Sequence, residues 1–226
     1  NNVLVVGTGT IGEPLIGLLT RLSGGLGIDE VSFYKRTPLV DERPKVNSLI
    51  DSGAKLVVHE DNLEQFEQIG HRVDYTYEEA LSRASVVIDC TPAGNANKKT
   101  LYKKFPGKTY IAQGSEKGFG TPYALGITDD KLVEKAPEYI QVVSCNTHAI
   151  ARLLTTFSRE LVPRTIYGDF TCIRRSNDVS QDSGFSPAVM CGKHDDEKFG
   201  THHARDVNDL FDFKTDLSIF SSALKT

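Results

Sequence analysis

The sequence predicts an α/β fold: a doubly wound, mostly parallel sheet over residues 1–146, followed by a partial α+β domain over 147–226. Three observations carry this reading. Short apolar runs bounded by glycine or polar residues alternate with stretches of helical spacing as far as residue 146. The junction between the first such run and the first helix is rich in glycine. Past residue 146 the alternation gives way to one helix, one long strand and irregular polar chain.

Val3 to Val6 is too short for a helix and reads as a buried strand. Ile11 to Leu22 carries apolar residues at helical spacing, and Ser23-Gly24-Gly25-Leu26-Gly27 is expected to end that helix. A strand follows at Glu30 to Tyr34, then a helix at Lys45 to Ser52 and a strand at Lys55 to His59. Asp61 to Ile69 and Thr76 to Arg83 are expected helices, and Ser85 to Cys90 is a strand. Asn97 to Lys104 reads as helix, with Thr109 to Ala112 and Tyr139 to Ser144 as strands. In the second part, Ala149 to Leu161 is an expected helix and Thr165 to Arg174 an alternating strand, while Ser176 to His203 has no periodicity.

The chain has 226 residues, 39% hydrophobic and 25% charged, so it can bury a sizeable core. A net charge of −4 argues against a broad nucleic-acid footprint. No run approaches the roughly 18 apolar residues of a membrane helix, so no membrane partner is expected. The opening NNVLVVGTGTIG has no basic region ahead of its apolar run, which argues against a secretion signal. It enters a strand almost at once, so a residue or two is expected to precede it. Cys90, Cys145, Cys172 and Cys191 are widely spaced with no CxxC pair, which speaks against a disulfide framework or a zinc ribbon and for the cytoplasm. His202 and His203 are adjacent, but no acid or cysteine stands beside them at ligand spacing, and no metal is expected.

Gly7-Thr8-Gly9-Thr10-Ile11-Gly12 is a GxGxxG between first strand and first helix. Gly7 makes the tight turn, Gly9 lets the backbone approach a pyrophosphate, and Gly12 lets helix and strand pack closely. The helix N-terminus adds partial positive charge, so the first part reads as a Rossmann-like dinucleotide-binding domain. A site selective for NAD usually carries an acid at the end of the second strand. Here Lys35-Arg36 stands in that place, two cations suited to a 2′-phosphate, so NADP is favoured with NAD possible. Ser144-Cys145-Asn146-Thr147-His148 lies where an apolar strand meets a helix. N–H groups there stabilise a thiolate and can hold an oxyanion, which makes Cys145 a nucleophile candidate. Thiol addition to an aldehyde, hydride transfer and thioester cleavage is the chemistry this pairing suits.

The motifs GTGTIG, KRTP, VVIDCTPAG with NKKTLY, QGSEK, VVSCNTHAIAR, CIRRSND and GTHHARDV occur in that order. Together they resemble the archaeal type of glyceraldehyde-3-phosphate dehydrogenase over nearly the whole chain. The resemblance implies that Cys145 is the catalytic nucleophile and that residues 147–226 belong to a catalytic domain. It implies that Ser144, Asn146, Thr147, His202 and His203 bind substrate. It implies cofactor contacts at Thr10, Ile11, Gly114 and Lys35, and it brings Arg174 or Arg175 to the site. A small phosphorylated aldehyde and inorganic phosphate would be the partners, and a homo-oligomer, a tetramer, the assembly. His148 and Ser115 depart from the family pattern, which has threonine and glycine there. Family chains run on past Thr226 to a catalytic histidine, so the chain is expected to be incomplete. Two alternatives stand beside this reading: another thioester-forming dehydrogenase, of the aspartate semialdehyde or N-acetylglutamyl phosphate type, and a non-catalytic NADP-binding relative.

Overall fold

The computed structural model describes every residue except 115, 162–166, 178–184, 187, 212–217 and 226, and only the backbone at 158–161. Strand β1 (Asn2–Val6) leads into helix α1 (Gly12–Leu26), β2 (Glu30–Tyr34), α2 (Arg43–Asp51) and β3 (Lys55–Val58). Then come α3 (Leu63–Gln68), β4 (Tyr75–Thr76), α4 (Tyr77–Arg83), β5 (Val86–Asp89), α5 (Gly94–Thr100) and β6 (Thr109–Gln113). Strand β7 (Thr121–Tyr123), α6 (Asp129–Lys135), β8 (Tyr139–Val142) and α7 (Cys145–Leu161) follow. Strand β9 (Tyr167–Arg174), β10 (Met190–Cys191), α8 (His202–Leu210) and β11 (Ser218–Lys225) complete the described elements.

An eight-stranded sheet runs β4-β3-β2-β1-β5-β6-β8-β7, and a separate three-stranded sheet runs β10-β11-β9. Every pairing from β4 through β6 is parallel. The fold class is therefore the expected Rossmann-like α/β. The chain divides into two compact units, Asn1–Thr121 with Pro137–Gln141, and Pro122–Ala136 with Val142–Thr226.

In the first unit β1 is central, and its side chains alternate between two cores. Val3 and Val5 pack with Ile16, Val46, Leu49 and Phe66 from α1, α2 and α3. Leu4 and Val6 pack with Ala80, Leu81 and Tyr102 on the other face. A strand buried on both faces must be apolar at every position, which is why VLVV is uninterrupted. Because β1 pairs with β2 on one side and β5 on the other, the strand order reverses there. That crevice, at the carboxyl ends of the strands, is where α/β sheets take their ligands.

Two expected boundaries are corrected. Helix α1 continues through Gly24 and Gly25 to Leu26. Its end is fixed by Gly27, at φ 63°, with the Ile28 and Gly27 N–H groups donating to the Ser23 and Gly24 carbonyls. A left-handed glycine cap satisfies the last carbonyls and so carries the helix past two poor helix formers. Helix α7 starts at Cys145, four residues before Ala149. Ser144 makes the difference: its Oγ accepts the Thr147 N–H at 3.3 Å and its carbonyl the His148 N–H at 2.8 Å.

In the second unit β9 and β11 are parallel and β10 is antiparallel to β11. Ile219 and Ala223 of β11 join Val143, Ile150, Ala151, Ala204, Val207 and Leu210 in its core. The stretch Ser176 to His203, expected to be irregular, holds β10, and α8 opens inside it at His202; no element is expected at β11, and the expected start of the β9 strand, Thr165, lies outside the described residues. Among the described residues no helix is long and apolar enough to cross a membrane.

Candidate cofactor turn and nucleophile site

In the first unit the Gly7 N–H donates to the Tyr34 carbonyl at 3.2 Å, which ties the glycine turn to the end of β2. Gly7 has φ 98°, open to glycine at little cost. A Cβ on Gly12 would stand 1.9 Å from the Gly7 carbonyl oxygen, so that position admits no side chain. Gly9 is the opposite case: a Cβ there meets nothing within 4 Å. Ile11, at the N-cap of α1, supplies no side-chain cap, and its own side chain is exposed. The Glu13 N–H donates to the Gly9 carbonyl at 3.1 Å, and with no side chain over the N-terminus of α1 the turn fits a pyrophosphate. Thr10 and Ile11 lie in this turn, and Gly114, at φ 79°, follows β6 in the same unit. Ser115 lies outside the described residues.

Lys35 is only 9% exposed and bonds through Nζ to the Glu42 carboxylate, which also holds Lys45 Nζ. Burial tends to raise the Glu42 carboxyl, but the hydrogen bonds and charges of the two lysines outweigh it and hold the group low. Arg36 is exposed, and its carbonyl accepts from Asn62 Nδ2 at 2.9 Å.

Two polar hubs of this unit escaped the sequence reading. Asp89, 1% exposed at the end of β5, accepts from Thr91, from Asn97 Nδ2 at 2.7 Å and from the Tyr102 hydroxyl at 2.6 Å. Glu116 accepts the Asn95 N–H at 2.7 Å, folding the QGSEK segment onto the start of α5. An acid ending an otherwise apolar strand was the available signal for Asp89.

In the second unit Cys145 is the first residue of α7 and is exposed. Its neighbours are bound to one histidine. His203 Nδ1 lies 3.2 Å from Ser144 Oγ, and His203 Nε2 lies 3.1 Å from Asn146 Nδ2. Since Asn146 Nδ2 can only donate, Nε2 accepts, and the proton sits on Nδ1 facing Ser144. Ser144 Oγ is also 2.8 Å from Thr147 Oγ1, and Asn146 Oδ1 is 4.0 Å from the Cys145 thiol. Burial, then the charges of His202 and Arg174, lower the His203 imidazole to about 4 and keep it neutral. Thr201 caps α8, accepting the His203 N–H at 3.3 Å, while its hydroxyl meets Ser221 Oγ at 2.6 Å.

A cavity of about 540 Å³ opens beside this network, lined by His202, His203 and Thr201 and by the cations Arg174, Lys193 and Arg205. Arg174 ends β9, and Arg175 follows it. The other thiols differ in setting. Cys191 is exposed in the cavity wall. Burial, then Asp89, pushes the Cys90 thiol up to about 12. Burial also raises the Cys172 thiol, with Arg174 opposing and Cys145 adding to it.

A Rossmann-like sheet with an open glycine turn, joined in one chain to a unit bearing an exposed cysteine at a helix N-terminus, defines a class of nucleotide-binding α/β protein. No family profile matches the chain. Curated relatives do. A glyceraldehyde-3-phosphate dehydrogenase of Metallosphaera sedula is 31% identical over 76% of this chain and 48% of its own. One of Sulfurisphaera tokodaii is 29% identical over 91% of this chain and 57% of its own, and one of Methanopyrus kandleri 31% over 80% and 51%. The chain is thus similar to archaeal-type glyceraldehyde-3-phosphate dehydrogenases, as its motifs indicated, and spans about half the length of these relatives.

Proposed function

We propose that the chain carries the dinucleotide-binding domain, residues 1–146 with the nucleophile Cys145 near its end, and part of the catalytic domain, residues 147–226, of a phosphorylating glyceraldehyde-3-phosphate dehydrogenase. One observation carries the reading: Cys145 is an exposed thiol at the first position of a 17-residue helix, between two side chains fixed by a buried histidine. The α7 N–H groups stabilise the Cys145 thiolate and the oxyanion formed when it adds to an aldehyde carbon. Asn146 has a second amide N–H beyond the one held by His203, and this donor suits the same oxyanion. The adjacent cavity is lined by Arg174, Lys193 and Lys225, by Asp195, and by Arg205 paired with Asp196 and Asp206; its excess of cations suits a phosphate, with His202 at the wall. A bound nicotinamide dinucleotide, NADP or NAD, supplies the hydride acceptor. Inorganic phosphate then cleaves the Cys145 thioester. Gly7, Gly9, Gly12, Thr10, Ile11, Lys35 and Gly114 are the proposed cofactor contacts, and by resemblance the enzyme is a tetramer.

The test is protection. Glyceraldehyde 3-phosphate is expected to slow iodoacetamide labelling of Cys145, read by mass spectrometry of the peptide, and to leave Cys191 labelling unchanged. NADPH or NADH is expected to bind the same chain in a fluorescence titration. Binding without protection would leave a nucleotide-binding module and remove the dehydrogenase.

A further inference from the structure

The end of β2 lacks the acid that usually reads a ribose, yet the structure places one there. Glu42 comes from the turn before α2, seven residues after Lys35, and its two oxygens divide between Lys35 Nζ and Lys45 Nζ. Lys35 Nζ cannot serve a ligand fully while it serves Glu42. The three side chains are mostly withdrawn from water, at 10%, 27% and 23% exposure for Lys35, Glu42 and Lys45, so their mutual attraction is only partly screened. The Gly7 N–H bond to the Tyr34 carbonyl ties the cofactor turn to the backbone one residue before Lys35.

We infer that Glu42 is a specificity-determining residue for the dinucleotide: by holding Lys35, it reduces the advantage of a ligand bearing a 2′-phosphate over one bearing a 2′-hydroxyl. A 2′-phosphate is a competitor of the Glu42 carboxylate for the same ammonium group, so part of its attraction to Lys35 is lost in displacing an existing ion pair. A 2′-hydroxyl gains little from a freed ammonium and can donate to a carboxylate. The inference rests on the reading of the glycine turn as a cofactor site, and it is independent of Cys145.

The experiment compares NADPH and NADH affinities of this chain by fluorescence titration in wild type, E42Q, K35M and the double variant. E42Q is expected to raise the NADPH to NADH affinity ratio about tenfold, or 1.4 kcal/mol. The gain is expected to vanish in the K35M background, because it acts through Lys35 and not through the general field. E42D keeps the charge but shortens the reach, and serves if E42Q fails to fold; about a threefold rise is expected. An unchanged ratio in E42Q or E42D overturns the inference. So does a gain that survives K35M. Failure of wild type to bind either dinucleotide overturns the cofactor reading itself, and the inference with it.

Discussion

The molecule has two junctions where a strand hands its chain to a helix, and they are built in opposite ways. At Gly7–Gly12 side chains have been removed: Gly12 admits none, Gly9 faces open space, and α1 has no side-chain cap. At Ser144–Cys145 side chains are concentrated: Ser144 caps α7, Asn146 and Thr147 join it, and buried His203 fastens the group. Both junctions stand at helix N-termini, whose partial positive charges attract negative charge. The difference teaches what each does with them. A turn with glycine at three of its six positions leaves room beside its backbone, whereas a turn crowded with fixed polar groups surrounds one exposed sulfur.

The largest expected effect comes from closing the first junction. In G12A the new methyl would lie 1.9 Å from the Gly7 carbonyl oxygen and 2.8 Å from its carbon. Backbone cannot yield as a flexible side chain does, so β1 and α1 must part. A loss of more than about 4 kcal/mol is expected, the range of severe overpacking and strain. Urea unfolding followed by circular dichroism measures it. A variant with wild-type stability would mean that turn and helix are not packed as described.

This asymmetry also decides what the sequence could reveal. The first unit is legible because its signals are local: VLVV, the glycine turn and regularly alternating elements each announce themselves within a few residues. The second unit hides its elements behind polar residues that are buried only in the tertiary structure. Strand β11 buries Ser221 in line with Ile219 and Ala223, and α8 buries His203 with Ala204, Val207 and Leu210. Ser221 and His203 are tolerated because Thr201, Ser144 and Asn146, all distant in sequence, satisfy them. No periodicity argument sees such partners. Glu42 is illegible for the same reason: the acid near the end of β2 arrives by a turn in space rather than at the expected place in the strand.

The second effect in size is specific to the crowded junction. His203 titrates near 4 when folded and near 6.5 when unfolded, because burial and the nearby charges of His202 and Arg174 disfavour its cation. Between those values the unfolded chain binds more protons, so stability rises with pH there and is lost as pH falls from about 6.5 toward 4. The full loss is about 3 kcal/mol. Unfolding curves at pH 7 and pH 4.5 are expected to differ more for wild type than for H203Q, which keeps an acceptor for Asn146 but no titrating group. Equal pH dependence in the two proteins would remove His203 from the acid response.

Next comes the open junction probed without disturbing it. G9A adds a methyl that meets no protein atom within 4 Å, so stability should change by less than about 1 kcal/mol. The same methyl occupies the space proposed for the pyrophosphate, and dinucleotide affinity is expected to fall about a hundredfold, or 2.7 kcal/mol. Titration of NADPH and NADH alongside a thermal melt separates the two quantities. Retained affinity would detach the glycine turn from the cofactor.

The smallest effect concerns the exposed thiol of the crowded junction. Cys145 and Cys191 are both exposed, so access alone does not rank them. Only Cys145 opens a long helix, and an anion there gains about 0.3–1 kcal/mol from the terminal N–H groups. Iodoacetamide at pH 7 is therefore expected to label Cys145 about threefold to fivefold faster than Cys191. Cys90 and Cys172, whose thiols burial pushes up, should lag behind both. Peptide mass spectrometry over a time course gives all four rates in one sample. Equal rates at Cys145 and Cys191 would show that the polar network fixes the residues around the sulfur without activating it, and the contrast between the two junctions would then be one of packing alone.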